Sequence, residues 1–253
     1  MILSAEYNRY PFFMFVPEMN GWQKYIVRLI LPVMLLAGMN SLKAQQVRAG
    51  AILGMNLSQV DGDEIYGFTK PGINLGLTAV VPIGNNLFFS LETLFNQKGS
   101  RQGPQYKAVD SLGVETTGEY NLTLNYVEVP ALVFYNDKNI LSAGGGLSYG
   151  RLVGVSEYEH GNKVESTTVS SGPYSRDDLN ILADVRFRVY KKLRMNVRYA
   201  YSLKKIRTRT FYSSSGNSWE RDQYNNQFSV RLIWMFNDKT APVASPVNDD
   251  AGF

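Results

Sequence analysis

The sequence predicts an all-β chain, an eight-stranded antiparallel transmembrane β-barrel preceded by a cleavable signal peptide. Three observations carry that prediction. Beyond Ala44 apolar residues recur with period two, and no stretch sustains a period of 3.6. The links between these stretches alternate between tight turns and long polar segments. Within the strands, arginines share one register with glycines, while bulky apolar and aromatic residues hold the other.

Residues 1–44 read as the signal-peptide region. From Met19 the chain runs "MNGWQKYIVRLILPVMLLAGMNSLKAQQ". Lys24 and Arg28 supply the basic segment, Leu29 to Met39 the apolar core, and Ala44 the small residue at which cleavage is expected. That core falls short of the roughly 20 apolar residues a membrane helix needs. Residues 1–18 carry Glu6 and Glu18, unlike a basic leader segment, so translation is expected to start at Met19. The chain has no cysteine, which excludes a disulfide framework and a thiolate metal site. Its net charge of +4 includes arginines expected inside the fold, so nucleic acid is not an expected partner.

Eight strands follow, at Val47–Ser58, Gly72–Ile83, Leu87–Gln97, Glu119–Tyr135, Ile140–Val153, Asp178–Tyr190, Leu193–Leu203 and Tyr224–Phe236. Tight turns follow the second, fourth and sixth: "GNN" (84–86), "NDKN" (136–139) and "KK" (191–192). Long polar segments follow the first, third, fifth and seventh. A compact soluble domain seldom carries several such loops. Short turns at one end and long loops at the other are the habit of outer-membrane barrels, with both termini at the periplasmic end. Residues 45–236 are assigned to the barrel. Residues 237–253, "NDKTAPVASPVNDDAGF", are expected to form a flexible periplasmic tail.

Alternation alone does not say which register faces inward. An eight-stranded barrel has room inside only for closely fitted side chains, and the apolar set would overfill it. The other set contains Gly50, Gly54, Gly76, Gly144, Gly146 and Gly150, which leave space beside arginines in a narrow interior. The expected interior network is therefore Arg48, Glu92, Glu128, Asp184, Arg186, Arg188, Arg194, Arg198 and Arg231. Guanidinium forks suit bidentate carboxylates, and the remaining cationic excess would be met by Asn, Ser, Tyr, backbone or water. Phe89, Leu91, Phe187, Val197, Tyr199, Tyr201, Phe228, Trp234 and Phe236 are expected to face lipid. Tyr149, Tyr199, Tyr201, Trp234 and Phe236 suit the two interfaces as aromatic girdles. The fourth strand is less regular, because Pro130 interrupts its ladder and is expected to mark a bulge or rim.

The stretches "VRAGAILGMNLSQV", "KPGINLGLTAVVPI", "LFFSLETLFNQKGS", "LNYVEVPALVFY" and "ILSAGGGLSYG" occur in this order after "KAQQ". Together they resemble the PorT-type outer-membrane β-barrel proteins of Bacteroidetes, over nearly all of residues 45–236. "QKGS" and "Y-V-E-V-P" are the most specific pieces. The resemblance implies a porin-like small barrel in the outer membrane of a Gram-negative, Bacteroidetes-like cell. It also implies a link to protein secretion through the family's founding member.

Catalytic chemistry finds little support. His160, the single histidine, lies among Glu157, Glu159 and Lys163 and reads as a solvated loop residue, neither catalytic nor metal-binding. The "AGGG" run (143–146) lacks the following helix and lysine of a phosphate loop and reads as close packing. No cofactor and no metal are expected. Lys204, Lys205, Arg207 and Arg209, with Tyr212 and Trp219, suit either lipopolysaccharide phosphates or a solvated rim. The expected role is a non-enzymatic structural or interaction scaffold of the envelope, in contact with outer-membrane lipid. The alternatives are an accessory component of a secretion or envelope complex, meeting partner proteins there, and a narrow channel for small solutes.

Overall fold

The computed structural model describes residues 47–109, 113, 115–138, 140–213 and 216–237. The expected signal peptide, the Met19 start and nearly all of the tail lie outside the described residues.

Eight long strands form one closed antiparallel ring: β1 (Arg48–Asp61), β2 (Lys70–Pro82), β3 (Leu87–Gln102), β6 (Tyr120–Asp137), β7 (Leu141–Glu159), β9 (Asp177–Tyr190), β10 (Leu193–Ser202) and β12 (Ser218–Met235). Each pairs with its neighbour in sequence order, and β12 closes on β1 from Gly50 opposite Met235 to Asp61 opposite Tyr224. Closure gives the main chain its hydrogen bonds without an open edge, which a hydrocarbon environment demands. Four short strands decorate the loop end. Strands β4 (Ala108–Val109) and β5 (Glu115–Thr116) pair together; β8 (Asn162–Lys163) folds back antiparallel on the end of β7, and β11 (Arg207–Tyr212) pairs with β12.

The strands begin and end near the expected positions at the turn end, and most run further at the loop end, while β6 and β10 stop one residue short there. Strand β3 extends to Gln102, β7 to Glu159, and β12 starts at Ser218. These extensions are mostly polar, with Val155, Tyr158 and Trp219 as exceptions, so alternation fades from the sequence although the ladder continues.

Pro130 does not mark a bulge. It stands inside β6 opposite Ser148, and the β3–β6 ladder lapses across Val129–Pro130 with its register intact. A missing N–H removes a bond there without adding a residue. The register shift in β6 lies instead at Asn125/Tyr126.

The two registers separate cleanly. Leu53, Leu77, Leu147, Val230 and Leu232 are exposed on the outer face, while the residues between them point inward. The interior holds apolar residues as well as charges: Ile52, Phe88, Leu94, Leu132, Phe134, Ile233 and Met235 cluster toward the turn end. Phe88 and Phe134 stack with centroids 4.8 Å apart. Glycine makes that packing feasible. A Cβ at Gly144 would lie 2.7 Å from the Phe134 ring, and one at Gly146 would lie 2.0 Å from the Ala131 carbonyl oxygen.

Candidate functional site in the barrel interior and at the loop end

Above the stacked phenylalanines, five charged side chains from β3, β9, β10 and β12 converge. Arg198 grips Glu92 bidentately, Nη2 to Oε1 at 3.0 Å and Nη1 to Oε2 at 2.9 Å. Arg186 Nη2 reaches Glu92 Oε1 at 2.7 Å, and Arg231 Nη1 reaches Oε2 at 3.0 Å. Asp184 accepts from Arg198 at 2.7 Å, from Arg231 at 3.2 Å and from Asn196. The Arg186 guanidinium lies 4.0 Å above the Phe134 ring, so its face is covered as well as its edge. All five groups are buried.

Nearer the loops lies a second layer. Lys98 Nζ contacts Glu128 Oε1 at 2.6 Å, Asp178 Oδ2 at 3.0 Å and Asn180 Oδ1 at 3.2 Å. Asn96 donates to Glu128 at 3.0 Å, and Ser202 donates to Asp178 at 2.6 Å. Across both layers four carboxylates meet four cations. A charge taken out of water is tolerable only with such partners.

The cationic excess expected inside is therefore absent from these two layers. Glu92, Asp184, Arg186, Arg198 and Arg231 share the first layer, whereas Glu128 belongs to the second. Arg48, Arg188 and Arg194 stand apart at the turn-end mouth, where Arg48 and Arg194 line one recess and Arg188 and Arg194 another. None of these three is without a partner. Sequence reasoning passed over Lys98 and Asp178. Both keep the inward parity of their strands, Lys98 that of Glu92 and Asp178 that of Asp184, but each lies at or just beyond an expected strand end.

On the outer face Leu91, Phe187, Val197, Phe228, Trp234 and Phe236 are exposed, while Phe89, Tyr199 and Tyr201 are half-buried. Neighbouring rings cause part of that cover. Tyr199 meets Phe228 at 4.9 Å and Tyr201 meets Tyr224 at 6.2 Å.

A third polar cluster caps the barrel at the loop end. Glu157 Oε1 accepts from Tyr120 at 2.7 Å, Tyr174 at 3.2 Å and Arg207 at 3.0 Å, while Thr167 donates to Oε2 at 2.6 Å. Burial pushes the Tyr174 hydroxyl up to about 12, with the Arg207 guanidinium pulling the other way. Arg209 Nη2 pairs with Glu159 at 2.7 Å, and Lys205 pairs with Asp222 at 3.0 Å. The basic residues of this loop are thus largely committed to acidic neighbours rather than forming a free cationic patch.

Above this cap lies a cavity of about 380 Å³, to which all four long connections contribute. Its wall includes Asp63, Glu64, Gln105, Glu119, His160 and Arg209. His160 departs from the solvated role expected of it. Half-buried, it accepts at Nδ1 from the Gly118 amide at 3.1 Å and the Thr117 amide at 3.3 Å, tying two loops together. Asp63 is buried; its Oδ1 accepts from the Ile65 amide at 2.9 Å, while Oδ2 has no hydrogen-bond partner among the described residues. Burial raises its carboxyl to about 6, against opposing pulls from Ser100, the Ile65 amide and Arg209. Among the described residues no group of three acidic or histidine side chains is arranged to hold a metal ion.

A family model described as "Outer membrane protein beta-barrel domain" matches residues 43–207. No curated protein matches the chain. Solved structures similar to it include Ail, the attachment invasion locus protein of Yersinia pestis, at 15% identity over 75% of this chain and 99% of that one, with a TM-score of 0.43. Neisserial surface protein A is similar at 13% identity over 74% of this chain and 97% of that one, with a TM-score of 0.42. OprG from Pseudomonas aeruginosa is similar at 12% identity over 76% and 94%, with a TM-score of 0.34.

Proposed function

This chain belongs to the outer membrane protein β-barrel domain family and resides in the outer membrane, and from that premise we propose that it is a sealed, non-enzymatic barrel serving as an interaction scaffold of the envelope. The observation that carries this reading is the pair of charged layers across the lumen. Glu92 and Asp184 are each shared by guanidinium groups from more than one strand, so the interior is braced by ion pairs rather than lined by free charges. In lipid the outward apolar register supplies the solvent-matched face, and the charged register supplies the core.

A sealed lumen leaves the loop end as the working surface. It is built from strand extensions above the apolar belt and carries Tyr66, Tyr106 and Tyr212 exposed. Aromatic side chains on a rigid support are suited to contacts with another macromolecule. Planar-bilayer recording of the purified barrel tests the reading. Conductance at the level of protein-free bilayers is expected; discrete, reproducible channel openings would replace the sealed scaffold with a narrow channel. An assignment to PorT-like secretion is a finer proposal, tested by whether deletion of the gene abolishes export of secreted proteins.

A further inference from the structure

The cavity at the loop end has a chemical bias that the rest of the molecule does not share. The chain as a whole carries +4. The cavity wall nonetheless holds four carboxylates, Asp63, Glu64, Glu119 and Glu159, against the single guanidinium of Arg209. The Nδ1 of His160 is taken up by the Thr117 and Gly118 backbone amides, so that nitrogen offers the cavity no donor.

These carboxylates differ in how far they are satisfied. Glu159 is paired with Arg209 at 2.7 Å. Glu64 accepts from the Trp219 indole at 3.1 Å and lies 3.7 Å from Arg221. Asp63, only 5% exposed, lines the cavity with an Oδ2 that accepts no hydrogen bond of good geometry from a described residue, although the nearby Ser100 hydroxyl pulls its carboxyl down. No hydrogen bond or ion pair joins the Glu119 carboxylate to another described residue. A buried polar atom left without a partner costs about 1–3 kcal/mol, more if charged, so it is a position where a ligand gains by arriving.

We propose that this cavity binds a small organic ammonium ion, with Asp63 and Glu119 accepting its N–H groups and Ile65 and the edge of Phe211 beside its alkyl portion. The size fits: small-molecule sites begin at about 300 Å³. A metal ion fits less well, since its ligands must converge on one point and no such group of three exists among the described residues. An ammonium with an alkyl chain needs only separated acceptors and an apolar wall. An anionic ligand would meet the carboxylate surplus and be repelled. The site does not depend on the lumen being sealed, so conductance measurements and binding measurements report on separate claims.

Calorimetric titration of the full barrel in a neutral detergent tests the proposal, with putrescine and spermidine as free amines. Lysine blocked at both backbone ends represents a side chain on a partner, and 1,4-butanediol is the uncharged control. Saturable binding of an amine with Kd below about 1 mM is expected, with none for the diol. Asp63→Asn and Glu119→Gln should each weaken it by about ten-fold, while Arg209→Gln should tighten it. A heat-dependent gel shift confirms that each variant still forms the barrel, and Glu119→Gln carries the test if Asp63→Asn does not. Tighter binding of the blocked lysine than of the free amines would identify a protein partner as the source of the ammonium. Absence of saturable amine binding, or three variants that all bind as the parent does, would overturn the proposal.

Discussion

Inside the barrel wall four carboxylates meet four cations, whereas the cavity above the cap sets four carboxylates against one guanidinium. The lumen layers lie on the strands and the cavity mostly on the connections above them, and the two answer to different demands. In the lumen these charges are buried, so each is matched by a counter-charge, and Glu92 is matched three times over. At the loop end half-buried Glu119 stands without a counter-charge among the described residues, and buried Asp63 stands unmatched with its carboxyl raised by burial. Electrostatic matching is thus complete across the lumen and left open at the loop end, where Asp63 shows the cost in its raised carboxyl.

The sharpest way to break the comparison is to remove one partner from the lower layer. Glu92→Ala leaves Arg186, Arg198 and Arg231 crowded around Asp184 alone, and should destabilise the barrel by about 3–5 kcal/mol. Urea unfolding in detergent micelles checks this; a change under about 1 kcal/mol would mean that the layer is not the core we describe. Next comes the wall itself. Arg231 and Leu232 are neighbours in β12, one buried within the lumen and the other exposed on the outer face. Leu232→Arg should cost about 2–4 kcal/mol in lipid if that position lies near the midplane. Folding titrations in bilayers would show no such cost if the registers were reversed.

Asp63 sharpens the loop-end half of the contrast through pH. Its folded carboxyl is raised to about 6 from an ordinary 3.8, so the closed loop holds the proton more tightly than the unfolded chain does. Its closure is therefore most favoured below the ordinary value, and weakens as pH rises through about 6, by up to about 3 kcal/mol. Hydrogen exchange at the Ile65 amide, corrected for its intrinsic rate, should be better protected at pH 5 than at pH 8. Equal protection would take Asp63 out of the account. The smallest effect belongs to Arg209→Ala. Its pair with Glu159 is partly exposed, and its loss should change barrel stability by about 1 kcal/mol or less, measured by the same urea titration.

Much of this architecture was readable from period and punctuation. A two-residue link such as "KK" between "DVRFRVY" and "LRMNVRYAY" leaves an antiparallel hairpin as the simplest path, and the alternation in those strands places Arg186 and Arg198 on the same face. What periodicity could not supply was membership. Lys98 and Asp178 lie where the alternation fades, and their pairing joins β3 to β9, strands separated by two others around the ring. Glu157 gave no signal either. It sits in a polar extension of β7, and only folding brings Tyr120, Tyr174 and Arg207 to it.

The sequence by itself determined the strand count, the alternation of turns and loops, and the separation into a charged and an apolar register. These are local properties, set by a side-chain period of two and by turn chemistry within a few residues. The tertiary structure alone decided which charges neutralise one another and which stand apart. It moved Arg48, Arg188 and Arg194 to the turn-end mouth, and brought Asp63, Glu119 and His160 from three different connections to one cavity. Ring closure fixes those relations, because it sets the height of every strand against strands it never touches.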